Sequence, residues 1–411
     1  GASSNTISQS FLSNPDGYGA YLNQSSSNTI SLSTTSNGSA VYASLYFLQS
    51  SSNTMSQTLF HNSAGTAAFV DVHSGNNLIS GSLLVGGGAG AAALYVKGSS
   101  ATAVAQSFLS NANGHAIFLD ANASFGSISQ STVTAAGSAY NGLYMKGASS
   151  NTISQSYIFN PTGTGLFMDI GSSSNTVSGT TMQSAGASEA ALRLSGAFLN
   201  TFSQSVMKSP AGVGAKLEAS ANYNTISQST LTSSASDLPA LSLSGVLSNT
   251  ITESYIQGST AAVISGSTAT VVNASVLVAT NTTGNALALL GGSSGLSLLG
   301  SVISGGAHGR GVFIAAGNNG QIFLSTNTIN PSAQYGIFIA TQTAGTAVWI
   351  ASNTIIPALS PARDTFGVYI NGLASGATIQ NNGIYYRSAG SMGAFTAYAV
   401  YAQSASGLNL D

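Results

Sequence analysis

An apolar residue between polar neighbours recurs along the first two thirds of the chain at an almost constant interval. It first occurs in the motif NTISQS at residues 5–10, and successive copies are 23, 25, 24, 25, 24, 25, 24, 25, 24 and 25 residues apart. These anchor positions are Ile7, Ile30, Met55, Ile79, Val104, Ile128, Ile153, Val177, Phe202, Ile226 and Ile251. A fixed internal period of this length predicts one structural unit that is stacked many times.

Within each unit, apolar and polar residues alternate with the period of a β-strand. In residues 152–154 an isoleucine lies between two hydroxyl residues, and residues 166–169 alternate in the same way. A short apolar pair at residues 157–158 falls between these two segments. The pattern predicts three short strands in about 24 residues, as in one coil of a solenoid. A helical interpretation fails, because the segments contain too many Gly, Ser, Thr and Asn residues.

Several segments resemble the right-handed parallel β-helix repeat, a family that includes pectate-lyase-like and carbohydrate-active proteins and many surface proteins. The resemblance rests on SSNTISQS (3–10 and 149–156), GLYMKGASSNTIS (142–154), STNTI (325–329), ASNTI (351–355) and IQNNGI (379–384). It implies an all-β fold, a right-handed parallel β-helix (β-solenoid) of about 16 coils with three short strands in each.

The anchor pattern continues into the last third of the chain. The further anchors expected from the interval are Val272, Leu298, Leu324, Ile350 and Ile379. We therefore predict a single solenoid over residues 1–411. Residues 1–270 form regular 49-residue double-coil repeats, and residues 271–411 form more divergent coils.

Like residues of successive coils should form columns, because parallel strands one coil apart lie about 4.8 Å from each other. An asparagine column just before the anchors consists of Asn5, Asn28, Asn53, Asn77, Asn151, Asn175, Asn200, Asn224 and Asn249. We predict that its amides bond to one another at a turn whose left-handed backbone asparagine tolerates. A second column, at the next corner, consists of Ser10, Ser107, Ser156, Ser205, Ser254, Asn327, Asn353 and Asn382.

Charged residues form another column, in which the signs alternate. It consists of Asp71, Lys97, Asp120, Lys146 and Asp169, and Glu218 continues its acidic half. We interpret it as a structural charge ladder, in which exposed neighbours pair for about 0–1 kcal/mol each. Asp120 and Asp169 make a poor acid–base pair, because they lie two coils apart with Lys146 between them.

An aromatic column lies two residues before the charged one. It consists of Tyr21, Tyr46, Phe69, Tyr95, Phe118, Tyr144, Phe167, Phe313, Phe338, Tyr369 and Tyr401. Strand alternation places these rings outside the coil, and a long exposed apolar stripe usually marks a contact surface. The candidate partners are a neighbouring copy of the protein, a sugar chain that stacks on the rings, and the protein's own loops.

Residues that carry chemistry are few. Only 4% of the residues are charged and the net charge is −2, which gives no electrostatic footprint for nucleic acid. The chain has no cysteine, no histidine pair at metal-ligand spacing and no apolar run long enough to span a membrane. We therefore predict no cofactor, no metal and no catalytic residue. A mild polar concentration in the last third consists of His308, Arg310, Arg363, Asp364 and Arg387.

The repeat begins without a polar cap, and open strand edges can pair with another chain. We therefore predict a non-enzymatic structural protein, extracellular or on the cell surface. Its coils would stack end to end with copies of itself to form a filament or sheath. The alternatives are an adhesin or a solenoid that binds surface glycans, an ice-binding solenoid with hydroxyl columns such as Thr152 and Ser154, and a polysaccharide-processing enzyme.

Overall fold

The structure, a computed structural model, describes residues 1–330, 334–359, 363–372, 376–386, 396–405 and 407–410. In these residues the regular secondary structure consists of short β-strands, which pair in parallel and form three sheets. Contacts divide the chain into two compact units, Gly1–Ala211 and Gly212–Asp411, which we call the first and second units. The three strands of each coil belong in turn to the first, second and third sheets.

The first unit contains nine coils or parts of coils among its described residues. Its first-sheet strands are Thr6–Ser8, Thr29–Ser31, Thr54–Ser56, Leu78–Ser80, Ala103–Ala105, Ser127–Ser129, Thr152–Ser154, Thr176–Ser178 and Thr201–Ser203. Its second-sheet strands are Phe11–Ser13, Thr34–Asn37, Leu59–Asn62, Leu83–Gly86, Phe108–Asn111, Thr132–Ala135, Tyr157–Asn160, Thr181–Ser184 and Val206–Ser209. Its third-sheet strands are Ala20–Asn23, Leu45–Leu48, Ala68–Val70, Ala92–Lys97, His115–Asp120, Asn141–Lys146, Thr164–Asp169 and Ala190–Ser195.

The second unit repeats this architecture with longer third-sheet strands near its end. Its first-sheet strands are Thr225–Ser227, Thr250–Thr252, Val271–Asn273, Ser297–Leu299, Gln321–Ser325, Ala347–Ala351, Ala377–Gln380 and Leu408–Leu410. Its second-sheet strands are Thr230–Ser233, Tyr255–Gly258, Val276–Ala279, Val302–Ser304, Thr328–Ile329, Thr354–Ile355 and Gly383–Ile384. Its third-sheet strands are Val213–Glu218, Leu241–Ser244, Ala262–Ser265, Leu287–Leu289, Arg310–Ile314, Tyr335–Ile339, Thr365–Asn371 and Ala397–Gln403.

The register of the first sheet confirms the predicted parallel β-helix. Ile153 pairs with Val177 in the next coil, and both side chains are fully buried. The anchors from Ile30 to Phe202 are at most 4% exposed, whereas Ile7 in the first coil is 37% exposed. In the second unit, the anchors expected from Val272 to Ile379 pair with one another in the same register.

The core of each unit lies between the inward faces of the three sheets. Leu109, Ile117 and Ile128 belong to the second, third and first sheets, and each is at most 4% exposed. Burying one such side chain contributes about 1.5–3 kcal/mol. The repeated coils therefore obtain their stability from a continuous apolar column in each sheet.

The corner before the first sheet carries the asparagine column. The Asn28 amide donates to Asn53 Oδ1 at 3.0 Å, and the Asn28 main-chain N–H donates to the same oxygen at 2.9 Å. The left-handed residue is not the asparagine, as the sequence predicted, but the residue before it, such as Ser27 or Ser52, each with φ of 57°. The asparagine itself immediately precedes the strand, and its buried side chain reaches the next coil.

The corner between the first and second sheets uses hydroxyls in the same way. The Ser131 main-chain N–H donates to Ser156 Oγ in the next coil at 3.2 Å. The preceding residue, Gln130, has φ of 47°, in the left-handed region. In the later coils of the second unit, from Asn327 on, asparagines replace these serines, and the Asn327 amide donates to Asn353 Oδ1 at 3.0 Å.

Candidate functional site

The aromatic column of the first unit is a continuous stack of rings. Neighbouring rings from Tyr21 to Phe167 have centroids 4.6–5.3 Å apart and pair in register in the third sheet. Tyr21 is 47% exposed, and the other rings are half-buried. From Phe69 to Phe167 the neighbouring rings stack face to face, whereas Tyr46 and Phe69 meet edge to face. The ring faces from Phe69 to Phe167 are therefore turned towards one another, which leaves little face for a sugar to stack on.

Tyrosines of this column bond to the aspartates of the charged column. The Tyr95 hydroxyl donates to Asp120 Oδ2 at 2.7 Å, and the Tyr144 hydroxyl donates to Asp169 Oδ2 at 2.8 Å. Tyr46 makes the same bond to Asp71. Burial and the bonded carboxylate raise the pKa of each of the three phenols well above its usual range, so they remain protonated.

The lysines of the charged column do not take part in these bonds. Lys97 is in register with Asp120 and Lys146 with Asp169, yet no ion pair joins them among the residues that the structure describes. Both lysine side chains are exposed. In the second unit, Glu218 pairs instead with Lys216 of its own strand, at 2.7 Å.

His115 is a buried titratable group that the sequence pattern did not single out. It is 8% exposed, stacks on Tyr144 at 4.9 Å and meets the edge of Tyr140 at 5.2 Å. Its Nδ1 accepts the main-chain N–H of Asn141 at 3.1 Å. Burial lowers its pKa to about 4, so the imidazole is neutral at neutral pH with its proton on Nε2.

The titratable groups of this stack are therefore hydrogen-bonded to one another or buried. The phenols are held protonated, each aspartate accepts a phenol, and His115 is enclosed. This arrangement favours rigidity over proton transfer.

The second unit carries two parallel aromatic columns. The rings of Phe313, Phe338, Tyr369 and Tyr401 follow one another at 5.6, 4.9 and 5.2 Å. A second stack, of Tyr335, Phe366 and Tyr398, lies three residues earlier in each strand, with centroids 5.1 and 5.2 Å apart. Sequence reasoning missed this second column, although the spacing of three residues repeats at 335 and 338, 366 and 369, and 398 and 401.

Arg310 lies at one end of these columns, in register with Tyr335. Its guanidinium carbon is 4.4 Å from the Phe313 centroid, 4.7 Å from that of Phe338 and 5.7 Å from that of Tyr335. Its Nε is buried without a hydrogen-bond partner, and no carboxylate pairs with it among the described residues. Burial lowers its pKa from the usual range of arginine, but the group stays cationic at any physiological pH.

Tyr335 lies beside Arg310 and also within reach of the charges of Arg363 and Asp364, and we call these four residues the Arg310 cluster. Burial raises the pKa of Tyr335; Arg310 and Arg363 lower it, and Asp364 raises it. Asp364 Oδ1 accepts the main-chain N–H of Thr396 at 2.8 Å.

The other residues of the polar concentration do not join the cluster. His308 is exposed in the turn before the Arg310 strand. Arg387 lies outside the described residues. Among the residues whose placement is given, no group of three His, Asp or Glu side chains is arranged to hold a metal ion. In the same residues, no helix is long and apolar enough to cross a membrane.

Comparison with known proteins supports the fold assignment. A family model described as "Right handed beta helix region" matches residues 92–237 and 190–355. No curated protein matches the chain.

Solved structures are similar at low identity. The A-module of the mannuronan C-5 epimerase AlgE4 from Azotobacter vinelandii is 12% identical, with a TM-score of 0.51; the match covers 82% of this chain and 91% of that one. A DFA-IIIase from Arthrobacter chlorophenolicus A6 is 11% identical, with a TM-score of 0.45 and coverage of 72% and 83%. The catalytic domain of a GH87 alpha-1,3-glucanase is 11% identical, with a TM-score of 0.38 and coverage of 93% and 63%.

These findings contradict two predictions made from the sequence. We expected a structural filament subunit and no enzyme, but the similar structures include the module of an epimerase. The sequence reasoning went wrong because it inferred assembly from open strand edges, a feature that follows from the repeat itself.

Proposed function

The chain belongs to the family of proteins with a right-handed β-helix region, and on this basis we propose that it is a carbohydrate-active protein that binds an acidic polysaccharide at the Arg310 cluster. The similarity to an epimerase module that acts on mannuronan supports the class of substrate, and the fold alone is shared. Such a polymer lies outside the cytoplasm, so the protein would act in an extracellular or cell-surface setting.

The single observation that carries the proposal is the unpaired guanidinium of Arg310. Its neighbours are three aromatic rings, which attract the cation but satisfy none of its N–H donors in the way that a carboxylate does. A guanidinium binds a carboxylate through two parallel hydrogen bonds, and this pair is among the stronger polar contacts in proteins. The carboxylate of a uronic acid residue is a ligand of this shape and charge.

The same cluster offers groups for acid–base chemistry on a bound sugar. Arg310 would neutralise the sugar's carboxylate and stabilise negative charge that develops beside it. Tyr335 supplies a phenol and Asp364 a carboxylate, and these can exchange a proton with the sugar.

The test is retention of the purified chain on immobilised polygalacturonate and alginate, with dextran as the neutral polymer. We expect retention on the acidic polymers alone and a loss of about tenfold or more in affinity for Arg310→Gln. Arg310→Lys keeps the positive charge but lacks the planar guanidinium that donates two parallel hydrogen bonds, so it should give an intermediate affinity. Arg193→Gln is the matched control, because its guanidinium lies 4.8 Å from the Phe167 ring in the first unit.

Equal retention on dextran, or unchanged binding by Arg310→Gln with Arg193→Gln as reference, would contradict the proposal. A polymer that is retained is then incubated with the protein and assayed for new chain ends and altered sugar residues. Tyr335→Phe and Asp364→Asn should abolish any such change while binding persists.

A further inference from the structure

The asparagine column of the first unit is interrupted over two coils. At each intact step the main-chain N–H of one coil donates to Oδ1 of the asparagine in the next, as from Asn53 to Asn77 at 3.0 Å. The two coils after Asn77 carry Thr102 and Gly126 at this position, and the column resumes with Asn151. Gly126 donates normally to Asn151 Oδ1 at 2.9 Å. The amide is therefore missing at positions 102 and 126, and the one at position 126 is the one that would accept from the Thr102 main-chain N–H.

Its loss leaves polar groups of Thr102 without partners. Thr102 is 6% exposed, and its Oγ1 is buried without a hydrogen bond. The Thr102 main-chain N–H would meet an Oδ1 at position 126 if an asparagine stood there, and in the described residues it donates to nothing else. A buried hydroxyl or amide that makes no hydrogen bond destabilises the folded state, because it loses its bonds to water without replacing them.

A small cavity lies at the same place. Its volume is about 20 Å³, and Ser99, Thr102, Gly126 and Asn151 lie in its wall, which also contains apolar side chains. A space of about 10–15 Å³ on this measure is enough for one water molecule when polar partners are present. Ser99 O accepts one hydrogen bond, from the Ser124 main-chain N–H, so a second lone pair remains available.

We propose that this cavity is a binding site for a single water molecule that takes the place of the amide missing at position 126. The water accepts from the Thr102 main-chain N–H, exchanges a hydrogen bond with Thr102 Oγ1 and donates to Ser99 O.

The second unit contains a natural control for this inference. Thr270 follows Asn249 in the column there, and its Oγ1 is likewise buried without a partner. The next coil carries Leu296, which is 1% exposed and fills the position that Gly126 leaves open. The two threonines therefore share the same defect but differ in the space beside it.

The experiment compares Thr102→Val with Thr270→Val in the full chain, by thermal unfolding and by a crystal structure at high resolution. Valine keeps the shape of threonine but removes the hydroxyl. If water satisfies Thr102, Thr102→Val should lower the melting temperature, whereas Thr270→Val should leave it unchanged or raise it. The crystal structure should show one density peak within hydrogen-bond distance of Thr102 Oγ1 and Ser99 O, and Gly126→Ala should remove that peak.

An empty cavity in the crystal structure, or a Thr102→Val variant as stable as Thr270→Val, would overturn the proposal. If Gly126→Ala does not fold, the Thr102→Val comparison and the density in the unaltered protein decide the question without it.

Discussion

The third sheets of the two units use stacked aromatic rings in opposite ways. In the first unit the hydroxyls of Tyr46, Tyr95 and Tyr144 each bond to an aspartate in the next coil, so these polar groups of the stack satisfy one another. In the second unit two stacks run side by side, and the cation at their end, Arg310, has no carboxylate partner among the described residues. Ring stacking therefore indicates structure, whereas a charge left unpaired beside the rings indicates where a ligand of opposite charge would bind.

The largest expected loss of stability comes from the removal of one ring from the aromatic stack of the first unit. Tyr144→Ala loses two ring contacts, uncovers His115 and leaves Asp169 without its donor. We expect a loss of about 3–5 kcal/mol of unfolding free energy. Chemical denaturation followed by circular dichroism measures it, and a loss below about 1 kcal/mol would mean that the stack contributes little.

The next effect is a loss of stability in acid that depends on His115. Its pKa is about 6.5 in the unfolded chain and about 4 in the folded one, so the unfolded chain binds the proton more readily. Above pH 6.5 His115 is neutral in both states and the free energy of unfolding is at its full value. As the pH falls from 6.5 towards 4, protonation of His115 in the unfolded chain lowers this free energy by up to about 3 kcal/mol. His115→Phe should flatten this part of the stability profile, and an unchanged profile would exclude His115 as its source.

A smaller effect separates the hydroxyls of the two units. Tyr144→Phe keeps the stacked ring and removes its bond to Asp169, so we expect a loss of about 1–2 kcal/mol. Tyr369→Phe in the second unit is the matched control, because the Tyr369 hydroxyl has no bond among the described residues. Equal losses in the two variants would show that the hydroxyl bond is not what distinguishes the stacks.

The smallest effect concerns the lysines. Lys146→Ala should change stability by less than about 0.5 kcal/mol, because the exposed ammonium makes no ion pair in the described structure. Lys216→Ala breaks the pair with Glu218 and should cost no more than about 1 kcal/mol. A larger loss of unfolding free energy for Lys146→Ala than for Lys216→Ala would support the alternating charge ladder that we predicted from the sequence.

The sequence predicted the features that depend only on the repeat. The interval between anchors determines which residues lie above one another, so the pairing of Ile153 with Val177 follows from the interval alone. The same reasoning extended the coils to Ile379, because strand pairing requires no more than a constant register.

The features that the sequence did not predict depend on the direction in which each side chain points within its coil. The interval aligned Lys97 with Asp120, but it gave no sign that the carboxylate turns towards Tyr95. It also could not place His115 against Tyr140, since that contact is made through the turn before the next strand. The sequence could have predicted only some of the neighbours of Arg310, from the aromatic residues that recur three positions apart.

The bonds between tyrosine and aspartate join coils of two kinds. Tyr46, Tyr95 and Tyr144 donate forwards to a coil that carries phenylalanine and aspartate, and this order repeats every 49 residues. A duplication or deletion of one coil would place two donors or two acceptors next to each other, whereas a change of two coils preserves every bond. The first unit should therefore lengthen or shorten during evolution by pairs of coils, and related chains should differ in length there by multiples of 49 residues.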